Sequence, residues 1–129
     1  MPHFIAEYSG NLEPEVDFDG LFANVHEALG NSGVFPLGGI RSRAIRHDTW
    51  RIADGQHDYA FVHMTLKVGS GRDLATRRRV AETLFEVIKA HFAPLQEKRL
   101  LAVSFEMTEL NQDLNFKHNN IHAFLKGES

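Results

Sequence analysis

Apolar residues along this chain alternate between two spacings, one suited to strands and one to helices. The run His3 to Tyr8 sets Phe4, Ala6 and Tyr8 against Ile5 and Glu7, the alternation of a first strand, and Gly10 to Pro14 breaks it. Leu21, Phe22, Val25, Ala28 and Leu29 then recur on one side of a helix reaching about Ser32, with Asp17 or Asp19 as its cap and Gly33 as its terminator. Pro36 and Gly38-Gly39 mark a turn, and Ile40 to Trp50 extends as a second strand. After the turn signal Ala53-Asp54-Gly55, His57 to Val68 reads as a third strand stopped by Gly69-Ser70-Gly71. Asp73 opens a longer helix to about Phe92, with a stripe of Val80, Ala81, Leu84, Phe85, Ile88 and Phe92 and with Pro94 limiting its extension. Leu100 to Leu110 is a fourth strand with Leu101, Val103, Phe105 and Met107 on one face, and Leu114 to Leu125 has room for one short further element.

This order repeats strand-helix-strand, the second copy displaced by about 60 residues as in an internal repeat. A helical crossover makes its flanking strands parallel and places both helices on the same side. The expected fold is therefore α/β (α+β): two strand-helix-strand units forming one four-stranded sheet, with two helices on one face, in a single domain spanning 1–129. The other face is left bare. Tyr59 to Met64 is apolar toward both sides in places, so further copies of the chain are expected to cover that face.

Composition narrows the function. The 129 residues are 43% hydrophobic, enough for one real core. A formal net charge of -3 argues against a nucleic-acid or membrane-surface binder, so an anionic ligand has to find local positive charge. The chain has no cysteine, which removes disulfides, thiolate catalysis and Cys-based metal sites and fits the cytoplasm. The first residues lack a basic segment followed by an apolar one, and no apolar run approaches the ~20 residues of a membrane span.

The candidate chemistry begins at Pro2. Once Met1 is removed, Pro2 carries a secondary amine at the tip of a strand, and α-amino groups titrate near pKa ~8, close enough to neutrality for the surroundings to tune. Together with the double strand-helix-strand plan, the segments Phe35-Pro36-Leu37-Gly38-Gly39-Ile40-Arg41-Ser42-Arg43, Asp54-Gly55-Gln56-His57-Asp58-Tyr59-Ala60-Phe61 and Leu114-Asn115-Phe116-Lys117 make the chain resemble the tautomerase superfamily. Within it, the chain is similar to the 5-carboxymethyl-2-hydroxymuconate isomerase family. The resemblance implies a homotrimer and an isomerase that needs no metal or organic cofactor, acting in the breakdown of homoprotocatechuate, a product of 4-hydroxyphenylacetate. It also implies Pro2 as the catalytic base. Such chemistry requires a base that can become an acid, plus positive charge for a small polycarboxylate enol substrate.

Arg41 and Arg43 lie two apart on the second strand and so share a face, while Arg72 follows Gly69-Ser70-Gly71 at a strand-to-helix junction. Guanidinium groups suit planar carboxylates. The resemblance favours Arg41 and Arg72 for substrate binding, with Arg43 as a third candidate. Other signals point to structure. His118 and His122 have i,i+4 spacing but no completing carboxylate. Gly69-Ser70-Gly71-Arg72 lacks the spacing of a phosphate loop, and Arg77-Arg78-Arg79 fans around a helix surface. Phe4, Phe35, Phe61 and Phe116 are candidate apolar walls. Two other readings remain open: a tautomerase of another enol acid, and a non-catalytic trimeric binding protein in which Pro2 merely starts a strand.

Overall fold

The computed structural model describes residues 1–127. Strand β1 (His3–Ser9), helix α1 (Phe18–Asn31), strand β2 (Arg41–His47), strand β3 (Tyr59–Val68), helix α2 (Leu74–Gln96), strand β4 (Leu100–Glu109) and helix α3 (Ile121–Gly127) follow in that order, with 3-10 turns at Gly10–Leu12 and Leu37–Gly39. The sheet order is β2-β1-β3-β4. β1 and β2 are parallel, β3 and β4 are parallel, and β1 and β3 join the two units antiparallel. Two crossover units side by side are therefore what the sequence pattern folds into.

Local chemistry sets the helix boundaries. The Asp17 carboxylate accepts from the Gly20 amide at 2.9 Å and that of Asp73 from the Thr76 amide at 2.8 Å, each satisfying an amide left free in the first turn. Gly33 adopts φ 75° just beyond α1, a conformation that costs a residue without a Cβ little. One expectation fails here: α2 runs through Pro94 to Gln96. Proline in the last turn removes only the bond to the Ala90 carbonyl, and Ala90 is exposed, where water can replace it. The second strand also stops at His47 instead of reaching Trp50.

Both helices pack on one sheet face. Leu21, Val25 and Leu29 of α1 and Val80, Leu84, Ile88 and Phe92 of α2 form one cluster with Phe4, Ala6, Tyr8, Val62, Met64 and Leu66, and Leu101, Val103, Phe105 and Met107 pack against it. Phe4, expected as a candidate wall of the site, is fully buried in this core, edge-on to Phe22 at 6.1 Å and beside Phe105 at 6.4 Å. The bare face is more polar than expected. Arg43 bonds His3, His47 bonds Glu7 at 2.9 Å, and His63 lies 2.6 Å from the Ser104 hydroxyl. Its apolar share includes Ile5, Ile45 and Phe61, the last stacked on His47.

Arg99 ties the far end of the sheet together. Its side chain is 10% exposed and donates to the Asn11 carbonyl at 2.8 Å, Glu15 at 2.8 Å and Asp58 at 3.1 Å. Among the described residues no helix is long and apolar enough to cross a membrane. Because Phe4 fills the centre of the core, Phe4→Ala is expected to lower unfolding stability by about 3–5 kcal/mol, read as a fall in the urea midpoint.

Candidate active site at the amino terminus

The sheet topology gathers the candidate residues. In a parallel pair the two strands start at the same end, so β2 begins beside β1: the Arg41 amide donates to the Pro2 carbonyl at 3.2 Å, and His3 pairs with Arg41 in register. On its other side His3 pairs with Lys67, near the end of antiparallel β3. The loop leaving β3 carries Arg72 to the same end, and the Leu110 amide donates to the Val68 carbonyl at 2.7 Å as the chain leaves β4. Pro2 is buried at this meeting point.

Arg41 reaches toward the start of the chain, with its Nη2 3.8 Å from the Met1 sulfur. Arg72 is held by the carbonyls of Gly69 at 3.1 Å and Val34 at 3.4 Å, and its guanidinium lies over the Phe35 ring, 4.6 Å from the centroid. The preceding Gly71 takes φ 111°, which only glycine adopts without strain, and its amide donates to Glu109 at 3.2 Å. The structure therefore brings Pro2, Arg41 and Arg72 together. Arg43 does not join them, because its Nη1 bonds the His3 ring at 3.2 Å.

Electrostatics single out the same place. Burial and then the charges of Lys117, Arg72 and Arg41 push the amino group of Met1 below the ordinary amine value. Burial, with Arg43 and Arg41 next, likewise lowers His3. Among the described residues none of Arg41, Arg72 and Lys117 has a carboxylate within ion-pair distance. A chain with net charge -3 thus keeps a knot of uncompensated cations around its first residues. Such a knot favours a neutral amine and attracts a polycarboxylate.

Lys117 has no site role in the sequence reading, although the segment that carries it does mark the resemblance. Its proximity depends on the return of the chain after β4, and no local spacing encodes that. Phe35 is the one candidate wall residue in contact with a site cation; Phe61 sits on the bare sheet face and Phe116 is 84% exposed. His118 precedes α3, so it and His122 are not successive turns of one helix, and no group of metal-ligating side chains forms among the described residues. Arg77 is tied to the Arg72 carbonyl at 3.1 Å and to Glu109 at 3.7 Å, which accounts for its place in the arginine run. A surface cleft between α1 and α2, lined by residues such as Ala28, Arg79, Thr83 and His91, contains none of the candidate residues.

Comparison with known proteins places this geometry. Residues 2–125 match the family model for 5-carboxymethyl-2-hydroxymuconate isomerase. A 5-carboxymethyl-2-hydroxymuconate Delta-isomerase of Escherichia coli is 60% identical over 126 residues, covering 98% of this chain and 100% of that protein. A solved 5-carboxymethyl-2-hydroxymuconate delta-isomerase aligns at 31% identity with a TM-score of 0.90, over 97% of this chain and 93% of the other. The 5-carboxymethyl-2-hydroxymuconate isomerase of Deinococcus radiodurans R1 aligns at 36% identity and 0.89, over 96% and 93%. At 8% identity a fused 4-OT symmetric trimer shares the fold alone, with a TM-score of 0.64 over 90% and 93%. The match spans the amino-terminal strand, both crossover units and the returning tail, and with it this chain belongs to the 5-carboxymethyl-2-hydroxymuconate isomerase family.

Proposed function

We propose that this chain, acting as one domain, isomerises 5-carboxymethyl-2-hydroxymuconate to its 2-oxo form, with the amine of Pro2 as the proton carrier once Met1 has been removed. The observation that carries this reading is the convergence of buried Pro2 with Arg41 and Arg72, neither of which has a carboxylate within ion-pair distance among the described residues. The place of the reaction is the homoprotocatechuate route, in the cytoplasm.

The steps follow from the charges. The neutral Pro2 nitrogen accepts the proton of the 2-hydroxyl, the C2–O bond becomes a carbonyl, and the double bonds shift so that electron density reaches C5. The same nitrogen, now protonated, delivers its proton to C5, and the base is regenerated. Negative charge spreads over the dienolate between these two transfers. Arg41 and Arg72 stand ready to hold carboxylates and to stabilise that charge, and Arg72 is already oriented by two carbonyls and a ring, so little ordering remains when the substrate binds.

Assembly as a homotrimer is part of the proposal. The bare sheet face and the exposed apolar side chains Leu114, Phe116, Ile121 and Phe124 in the tail favour association. Light scattering on the purified chain is expected to give three times the chain mass, and a monomer would contradict this part.

The decisive experiment follows the ultraviolet absorbance of 5-carboxymethyl-2-hydroxymuconate with protein from which Met1 has been removed. Chemical acetylation of the Pro2 nitrogen is expected to abolish turnover; full activity of the acetylated protein would sink the reading. Arg72→Ala is expected to lower kcat/KM about 10- to 100-fold, the loss of one charge-assisted hydrogen bond, while the melting temperature moves by only a few degrees. The pH profile has a defined sign. Burial and the cations Lys117, Arg72 and Arg41 lower the Met1 amine. The Pro2 amine freed beside the same cations is expected to be lowered in the same sense, so the acid limb of kcat/KM, where the base is lost to protonation, is expected below the ordinary value of about 8. Removing a cation by Arg41→Ala should move that limb upward in pH.

A further inference from the structure

The Met1 side chain marks the space that its removal opens in front of Pro2. The walls of that space come from distant parts of the chain. A Cβ built on Gly39 would stand 3.4 Å from the Met1 Cγ and 3.4 Å from the Cε1 of His122, with the His122 Nε2 at 3.6 Å. The Met1 side chain and the His122 imidazole therefore flank the same bare glycine, and the Arg41 guanidinium touches the Met1 sulfur at 3.8 Å. The absence of side chains at Gly38 and Gly39 is what admits the ring, since a Cβ on Gly38 would lie 2.8 Å from the His122 Nδ1 and 3.1 Å from its backbone nitrogen.

The segment bearing His122 is anchored there. Asn119 donates from its Nδ2 to the Gly38 carbonyl at 3.0 Å, and its Oδ1 accepts from the Ile121 amide at 2.7 Å. Asn119 and His122 are half-buried, while their neighbours His118, Asn120, Ile121, Ala123 and Phe124 are exposed. The tail thus rests on the Leu37–Gly39 turn and presents one imidazole toward the amino terminus. Among the described residues His122 has no hydrogen bond in this state, whereas His3, His26, His47, His63 and His91 each have at least one.

We infer that His122 is a substrate-positioning residue, its imidazole donating a hydrogen bond to one substrate carboxylate that sits against Arg41 in the space vacated by Met1. This rests on the isomerase reading for the identity of the substrate. The 5-carboxymethyl-2-hydroxymuconate skeleton has two terminal carboxylates and a third on its carboxymethyl arm, more than Arg41 and Arg72 match one for one. An imidazole N–H adds a directed contact without placing another fixed charge beside an amine that has to be neutral to act. Lys117, on the same returning segment, supplies longer-range attraction.

The test uses Met1-free protein with His122 replaced by Ala, Phe or Gln. Phe keeps a ring against Gly38 and Gly39 but has no polar atom, whereas Gln keeps an N–H donor on a different shape. His122→Ala and His122→Phe are expected to lower kcat/KM roughly 10- to 100-fold and to weaken binding of propane-1,2,3-tricarboxylate, an inert probe, by a comparable factor in calorimetry. His122→Gln is expected to restore most of both. A Phe variant equal to wild type would reduce His122 to packing and overturn the inference, as would tricarboxylate binding that is absent in wild type or unchanged across the series. Wild-type protein that binds the probe in a His122-dependent way without turning over the enol would leave the contact standing and defeat the isomerase reading instead.

Discussion

The hydrogen bond from the Arg41 amide to the Pro2 carbonyl is the constraint on which the site depends. It is the first rung of the parallel ladder between β1 and β2, and a parallel partner has to begin at the same end as the strand it joins. The chain start is thereby fixed beside a specific arginine by backbone geometry, before any side chain is considered. The antiparallel seam between β1 and β3 then directs the exit of β3, and with it Arg72, to the same edge. Interior packing keeps this register, because a slip of one residue would turn Phe4, Ala6 and Tyr8 out of the core.

The cations gathered there oppose one another, and among the described residues none of them has a carboxylate within ion-pair distance. Elsewhere the chain pairs its charges freely: Arg46 with Glu13 and Asp48, Arg99 with Glu15 and Asp58, Lys89 with Glu86. Among the described residues Arg41, Arg72 and Lys117 stay without such a partner, which on the proposed reading leaves a positive field for an anionic substrate. The carbonyls of Gly69 and Val34 orient the Arg72 guanidinium without neutralising it, and the Leu37–Gly39 turn supports the segment that carries His122.

Much of this was legible in the residues. The stripe of Leu21, Val25 and Leu29, the stripe of Val80, Leu84, Ile88 and Phe92 and the alternation of β3 each state a local period, and the caps at Asp17 and Asp73 follow from short-range chemistry. Pro94 was misleading because a proline near the end of a helix frees only one carbonyl, and an exposed position lets water take its place. Phe4 could not be told from a core phenylalanine, because residue type alone does not say which side of the sheet it faces. Arg41 and Arg72 could be singled out by charge and turn context with the help of resemblance, which already set Arg43 behind them, and the bond of Arg43 to His3 gives the structural reason. Lys117 and His122 were beyond reach of local pattern, since their place depends on where the chain goes after β4 and on two glycines some 80 positions earlier.

The tail that leans on Gly38 brings the end of the described chain back to its beginning. In most domains the two termini are the safest places to attach an affinity handle or a fusion partner. On the proposed mechanism each end borders the chemistry: an extension ahead of Pro2 would tie up its nitrogen in an amide, and a bulky addition after α3 would pull on the short helix that carries His122. Engineering of this scaffold is better directed to the Ala53–Gly55 turn, which lies outside both edges of the site and already adopts its own left-handed backbone.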